Sequence, residues 1–174
     1  MPGQPDRPIS PLARGIRAVV RRLRMARWRL VLGRRLRVGE NVSIGAEAVL
    51  LPPNELTIGS NVSIGRDFHL ETDLEIGEEV LISSRVAIVG RDHRFDDPHH
   101  SVYWAGRLTP GKVVLEGDNL IGFATIVIGP ARIARGCIVG AGSVVAGDLP
   151  PNTICAGVPA RPIRSRYAGH RKAG

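Results

Sequence analysis

The stretch Gly90-Arg91-Asp92-His93-Arg94-Phe95-Asp96-Asp97-Pro98-His99-His100 gathers the side chains of this 174-residue chain best suited to moving a proton. An imidazole titrates near neutrality, so a histidine held beside a hydroxyl group can serve as its general base. Asp92, Asp96 and Asp97 can orient such a ring, bind polar hydroxyls, or simply be solvated. Phe95, Tyr103 and Trp104, three of the chain's seven aromatic residues, follow between positions 94 and 111. Aromatic faces stack on the apolar faces of sugar rings; the plainer alternative is that these rings pin the loop to its own coil or to a neighbouring subunit. His99 and His100 are expected to be solvated, and His69 to lie at a corner where it could face a cleft. Cys137 and Cys155 form neither a disulfide framework nor a CxxC pair, which favours a reducing compartment, and neither is placed as a nucleophile.

These residues interrupt a period of six. Val38, Ile44 and Leu50, then Ile58, Ile64, Leu70, Ile76, Ile82 and Ile88, then Leu115, Ile121, Val127, Ile133, Val139 and Val145 fall on one beat. The next position is often glycine (39, 45, 59, 65, 77, 122, 140), and the fifth is usually small or apolar, as at Val62, Val80, Val86, Thr125, Cys137 and Ser143. Repeats of this kind mark a stacked architecture. A period of six suits a short strand followed by a tight corner. Three such faces close a coil of about 18 residues, and successive coils advance by about 4.8 Å. The fifteen beats predict about five coils around a continuous aliphatic core. The glycines are expected to supply backbone geometry that a β-carbon would strain. The only long excursion is 94–111, beginning just past His93, and chemistry tends to sit on loops held by a rigid scaffold.

"IGSNVSIG" (58–65), "VGAGSVVAGDLPPN" (139–152) and "AGVPARPIR" (156–164) resemble the hexapeptide-repeat acyltransferases, which include the galactoside, maltose, serine and polysaccharide O-acetyltransferases. The resemblance covers about residues 38–166. It implies an all-β, left-handed parallel β-helix of about five coils, with an N-terminal basic helix and one extruded loop. The handedness comes from the resemblance, since the general crossover preference is right-handed. "GRDHRFDDP" is similar to loops of the polysaccharide-modifying members, and the resemblance implies His93 as catalytic base. It also implies acetyl-CoA as donor, with backbone contacts at Phe123 and Ala141 and phosphate contacts from Arg161 and Arg164, unless these two belong to an ordinary basic tail with Arg166, Arg171 and Lys172. Leu120, and the Ala146-Gly147 pair, depart from the residues common in relatives. The acceptor-orienting position falls near Glu71, with Asp73 as a further candidate.

The expected function is acetyl transfer to a sugar hydroxyl in surface polysaccharide biosynthesis, by direct attack and within a homotrimer whose sites lie between subunits. Alternatives are N-acetyl transfer to an amino sugar or antibiotic, a γ-carbonic-anhydrase-like enzyme, and a non-catalytic β-solenoid. The zinc enzyme needs three converging histidines, and none lies near 117–128, one coil beyond His93.

Charge divides the chain into two parts. Residues 1–37 hold eleven arginines and one aspartate, whereas the remainder holds thirteen basic and fifteen acidic residues. A nucleic-acid binder would spread its basic residues over a folded face, so that class is set aside. Within the leader, Ile16, Val19, Val20, Leu23, Leu30 and Val31 share a helical face, with Gly33 as the stop. Residues 12–37 therefore read as a helix packed on the domain or a neighbouring subunit, or as one lying on an anionic membrane; a transit peptide is the third option. Residues 38–166 are the repeat domain and 167–174 a tail. The expected location is cytoplasmic, with contact at the inner face of the membrane as an option.

Overall fold

The computed structural model describes residues 11–168, without the side chains of 11–14 and 17. Expectations that fall on residues 1–10 and 169–174, among them Arg171 and Lys172, lie outside the described residues. Two compact units divide at Gly33. The first holds one helix, Pro11–Leu32, rich in arginine. Gly33, at φ +53°, ends it as expected. Ile16, Val19, Val20, Leu23, Leu30 and Val31 are all exposed along it, whereas Trp28 and Leu32 are buried.

The second unit is a three-faced parallel β-helix. Its first face stacks Leu36–Val38, Leu56–Ile58, Asp73–Glu78, Lys112–Gly117 and Ala131–Ile133. Its second stacks Ser43–Ile44, Ser63–Ile64, Leu81–Ile82, Leu120–Ile121, Ile138–Val139 and Thr153–Gly157. The third stacks Val49–Leu50, His69–Leu70, Ala87–Val89, Ile126–Ile128 and Val144–Ala146. Five coils are complete and a sixth begins. The periodic residues stack in register: Val38, Ile58, Ile76, Leu115 and Ile133 on the first face, Ile44, Ile64, Ile82, Ile121, Val139 and Cys155 on the second, and Leu50, Leu70, Ile88, Val127 and Val145 on the third. Nearly all are buried, as are Cys137 and Cys155, and burial pushes the Cys137 thiol up to about 12. The fifth position also admits one large ring, the fully buried Phe68.

The reason for the glycines differs from expectation. At the first two corners the left-handed residue is the fourth of each six: Asn41, Glu47, Asn61, Asp67, Glu79, Arg85, Asp118 and Ala124, with Gly136 and Gly142 completing the columns. The glycine beside each inward residue is needed because the next coil passes too close for a β-carbon. A Cβ on Gly45 would stand 2.2 Å from Gly65 O, and one on Gly77 2.3 Å from Glu116 O.

The third corner carries the irregularities: residues 51–55, the excursion 90–111, and 147–152. Asp73 holds the first, accepting hydrogen bonds from Asn54 N (2.8 Å), Asn54 Nδ2 (2.8 Å) and Glu55 N (2.9 Å). The strand Ala160–Ser165 turns back antiparallel on Thr153–Gly157 and closes the end. Arg166 locks that strap through Asp118, with Nη1 2.7 Å and Nη2 3.2 Å from its carboxylate oxygens. It is a structural tie rather than part of a loose basic tail.

Candidate active site

The excursion leaves the third face after Val89 and returns at Lys112. Its neck is stitched: His93 and Arg107 form an antiparallel bridge. Arg94 N donates to Gly106 O at 2.9 Å, Leu108 N to Asp92 O at 2.9 Å, and Arg107 Nη1 to Arg91 O at 2.9 Å. Below it, Thr72 Oγ1 donates to Gly111 O. His93 is thus held by backbone at a fixed point on the rim of the β-helix. The residue as a whole is half-buried. Its Nδ1 is buried and has no hydrogen-bond partner within the chain.

The remaining loop residues divide. Asp92 is exposed and binds through its carbonyl only. Asp97 accepts from His99 N (2.8 Å) and His100 Nδ1 (3.0 Å), and the His99 amide, with His100, holds its carboxyl below the usual range. Asp97 therefore caps the loop, and His100 is tied rather than freely solvated. Phe95, Tyr103 and Trp104 are 76%, 76% and 75% exposed. Tyr103 and Trp104 meet edge to face at 4.8 Å. Pinning to their own coil, one option open from the sequence, is ruled out by that exposure.

Glu71 lies at the same corner and pairs with His69 Nε2 at 2.7 Å. It lines a cavity of about 290 Å³ with Leu51, Arg91 and Arg107. The two arginines are the residues that sequence reasoning missed. No spacing rule signals them, because they meet only when the loop closes.

The expected donor residues lie at the second corner. Phe123 and Ala141 are exposed on successive coils, and Gly142 N donates to Phe123 O at 2.8 Å. The N–H groups of Phe123 and Ala141 take no part in the coil-to-coil hydrogen bonds. The Arg85 guanidinium stands 5.7 Å from the Phe123 ring centre. Arg161 and Arg164 are exposed on the closing strand, each bound only to a local carbonyl, Ala160 O (3.0 Å) and Ser165 O (3.1 Å). Among the described residues no group of three or more metal-ligating side chains converges.

The three stacked parallel faces place the chain among the left-handed parallel β-helix proteins. A galactoside acetyltransferase in complex with coenzyme A has this fold, at TM-score 0.70 and 24% identity, covering 86% of this chain and 76% of that one. AntD, an N-acyltransferase from Bacillus cereus solved with dTDP and 3-hydroxybutyryl-CoA, superposes at TM-score 0.65 and 28% identity, covering 75% of this chain and 72% of that one. Among curated proteins, the putative colanic acid biosynthesis acetyltransferase WcaF of Escherichia coli is 31% identical over 145 residues, 80% of this chain and 76% of that protein. Galactoside O-acetyltransferase of Escherichia coli is 32% identical over 130 residues, covering 70% and 63%. The probable acetyltransferase Rv3034c of Mycobacterium tuberculosis is 32% identical over 139 residues, covering 79% and 44%. The chain thus spans about half to two thirds of these last two relatives. No protein-family model matches it. The chain belongs to the hexapeptide-repeat acetyltransferases.

Proposed function

We propose that the protein transfers an acetyl group from acetyl-CoA to a hydroxyl of a sugar used in surface polysaccharide biosynthesis, with His93 as general base. The observation that carries this reading is the ring of His93, backbone-anchored at the loop neck with Nδ1 sequestered, so that Nε2 is the nitrogen left for a substrate hydroxyl. Nε2 takes the hydroxyl proton as the oxygen attacks the thioester carbonyl. The tetrahedral oxyanion is stabilised by backbone N–H groups, for which Phe123 and Ala141 are the free candidates. The carbon–sulfur bond then breaks, and the imidazolium returns its proton to the departing thiolate. Arg161 and Arg164 bind the donor's phosphates. The same base would serve an amine, and the likeness to an N-acyltransferase favours that as the second reading.

The site is shared between subunits of a homotrimer. Within one chain His93 and the donor corner lie at opposite edges of the third face, and a three-residue strand spans about 10 Å. That separation is too wide for direct transfer, so the groups that react come from different chains. The outward surface of this face is apolar, with Val49, Leu51, Ile126 and Ile128 exposed, whereas Lys112 on the first face pairs with Glu55 (2.9 Å) and Glu75 (2.7 Å). The expected solution mass is three times the 18.7 kDa chain. The exposed apolar stripe of the N-terminal helix, flanked by arginines, lies on an anionic membrane. Sedimentation with phosphatidylglycerol vesicles, but not with phosphatidylcholine vesicles, is the expected result; equal recovery with both refutes it.

The test of the enzyme is acetyl-CoA consumption across a panel of sugars, comparing His93→Ala with the parent. Loss of a general base lowers kcat by about 10²–10⁴-fold while donor binding persists. Unchanged turnover by the variant refutes the assignment.

A further inference from the structure

We infer that the acceptor sugar carries a phosphate, seated by Arg91 and Arg107. This rests on the proposed acetyl transfer and names the acceptor's class. The cavity of about 290 Å³ opens at the loop neck and is bounded by Leu51, Glu71, Arg91 and Arg107. Arg107 is the bridge partner of His93, so the cavity lies at the same loop neck that carries the base. The bond from Arg107 Nη1 to Arg91 O gathers both arginines at one place.

Five other arginines of the β-helix are paired with acids: Arg66 with Glu47, Arg85 with Asp67, Arg132 with Glu116, Arg135 with Glu79 and Arg166 with Asp118. Arg91 and Arg107 form no ion pair with any described residue. The one acid in their cavity, Glu71, is engaged by His69 at 2.7 Å. Two guanidinium groups without ion-pair partners therefore outnumber the single carboxylate of one concave site at the neck that carries the base. Like charges so placed repel, and an anion bound between them relieves that repulsion. The guanidinium fork matches phosphate oxygens, and two positive charges match the nearly doubly charged phosphate better than a single carboxylate. Glu71 is left to accept hydrogen bonds from sugar hydroxyls, and Leu51 to lie against the ring.

The phosphate would anchor the sugar and leave a ring hydroxyl for His93. It also places the reaction in sequence. Acetylation acts on an activated glycosyl phosphate, after the sugar has been phosphorylated or nucleotidylated and before a glycosyl transfer consumes it. The phosphate belongs either to a soluble nucleotide sugar or to a lipid-linked sugar diphosphate.

The experiment compares kcat/KM of the full chain for matched forms of each sugar in the panel: the free sugar, its 1-phosphate, its UDP-linked form and its citronellyl-diphosphate form. Phosphorylated forms are expected to exceed the free sugar by about tenfold or more, as fits charge-assisted hydrogen bonds. The better of the last two identifies the source. Arg91→Gln is the cleaner variant, since the Arg91 side chain makes no bond that holds the neck. It should reduce the preference for phosphate about tenfold, mainly through KM, and Arg91→Lys should restore part of it. Melting curves of the variants control for folding. Equal turnover of free and phosphorylated sugars, or a preference that survives both Arg91→Gln and Arg107→Gln, overturns the inference and leaves acetyl transfer standing. Acetyl-CoA binding without acetylation of any form overturns both.

Discussion

Gly65→Ala should unfold this protein more readily than any other glycine replacement of equal size at an open corner. A β-carbon there would lie 2.5 Å from Ser84 N and 2.6 Å from the Ser83 carbonyl carbon. Ordinary contact needs about 3.5 Å, so the two coils must part locally by about 1 Å. Gly65 N donates to Ile82 O at 2.8 Å, and Arg66 N to Ser84 Oγ at 3.2 Å. Lengthened by about 1 Å, neither remains a hydrogen bond. An amide left unpaired at the half-buried Gly65 costs about 1–3 kcal/mol, and forced overpacking about as much again. The expected loss is therefore about 2–6 kcal/mol, a large part of the roughly 5–15 kcal/mol typical of a folded domain. Gly142→Ala is the control. Its β-carbon meets nothing within 4 Å, and its φ of +68° is one that Ala124 adopts at 55° in the same column. It should cost about 1 kcal/mol. Urea unfolding at one protein concentration measures both. If Gly65→Ala is no worse than Gly142→Ala, close approach of the coils is not what the repeat glycines serve.

Three further outcomes are expected. Burial opposes ionisation of Asp73, but the hydrogen bonds from Asn54 and Glu55, with the charge of Lys112, outweigh it and hold its carboxyl low. The folded state thus binds fewer protons, so this stabilisation is present above about pH 4 and lost as pH falls further; Asp73→Ala should cost about 1–2 kcal/mol at pH 7, with the gap from the parent narrowing below about pH 4 in denaturant titrations. Trp104→Ala should raise the acceptor KM about three- to tenfold and leave that for acetyl-CoA alone, as loss of one stacking contact implies; a fall in oligomer mass instead would assign the ring to a subunit contact. Replacing both Arg161 and Arg164 with glutamine should raise the KM for acetyl-CoA and flatten its dependence on salt; an unchanged salt profile would remove them from the donor site.

The repeat was legible in the chain because each inward position answers a local question: which side chain can stack on its own kind every coil. Val38 through Val145 satisfy it one coil at a time, and the pause after His93 stands out against that regularity. The glycine at the second position was legible as a requirement, but its cause was not. That Gly65 faces Ser83 and Ser84 depends on how far one coil rises over the next.

Sequence alone thus determined the architecture and the residue at the loop neck, since both follow from periodic burial and from where it stops. Only the tertiary structure decided that His93 faces Arg107 across the neck, that Arg91 and Glu71 share their cavity, and that Arg166 reaches 48 positions back to Asp118. The physical reason is range: stacking repeats at fixed intervals along the chain, whereas these contacts join residues at unrelated separations, and they exist only once the loop and the closing hairpin have folded onto the finished coils.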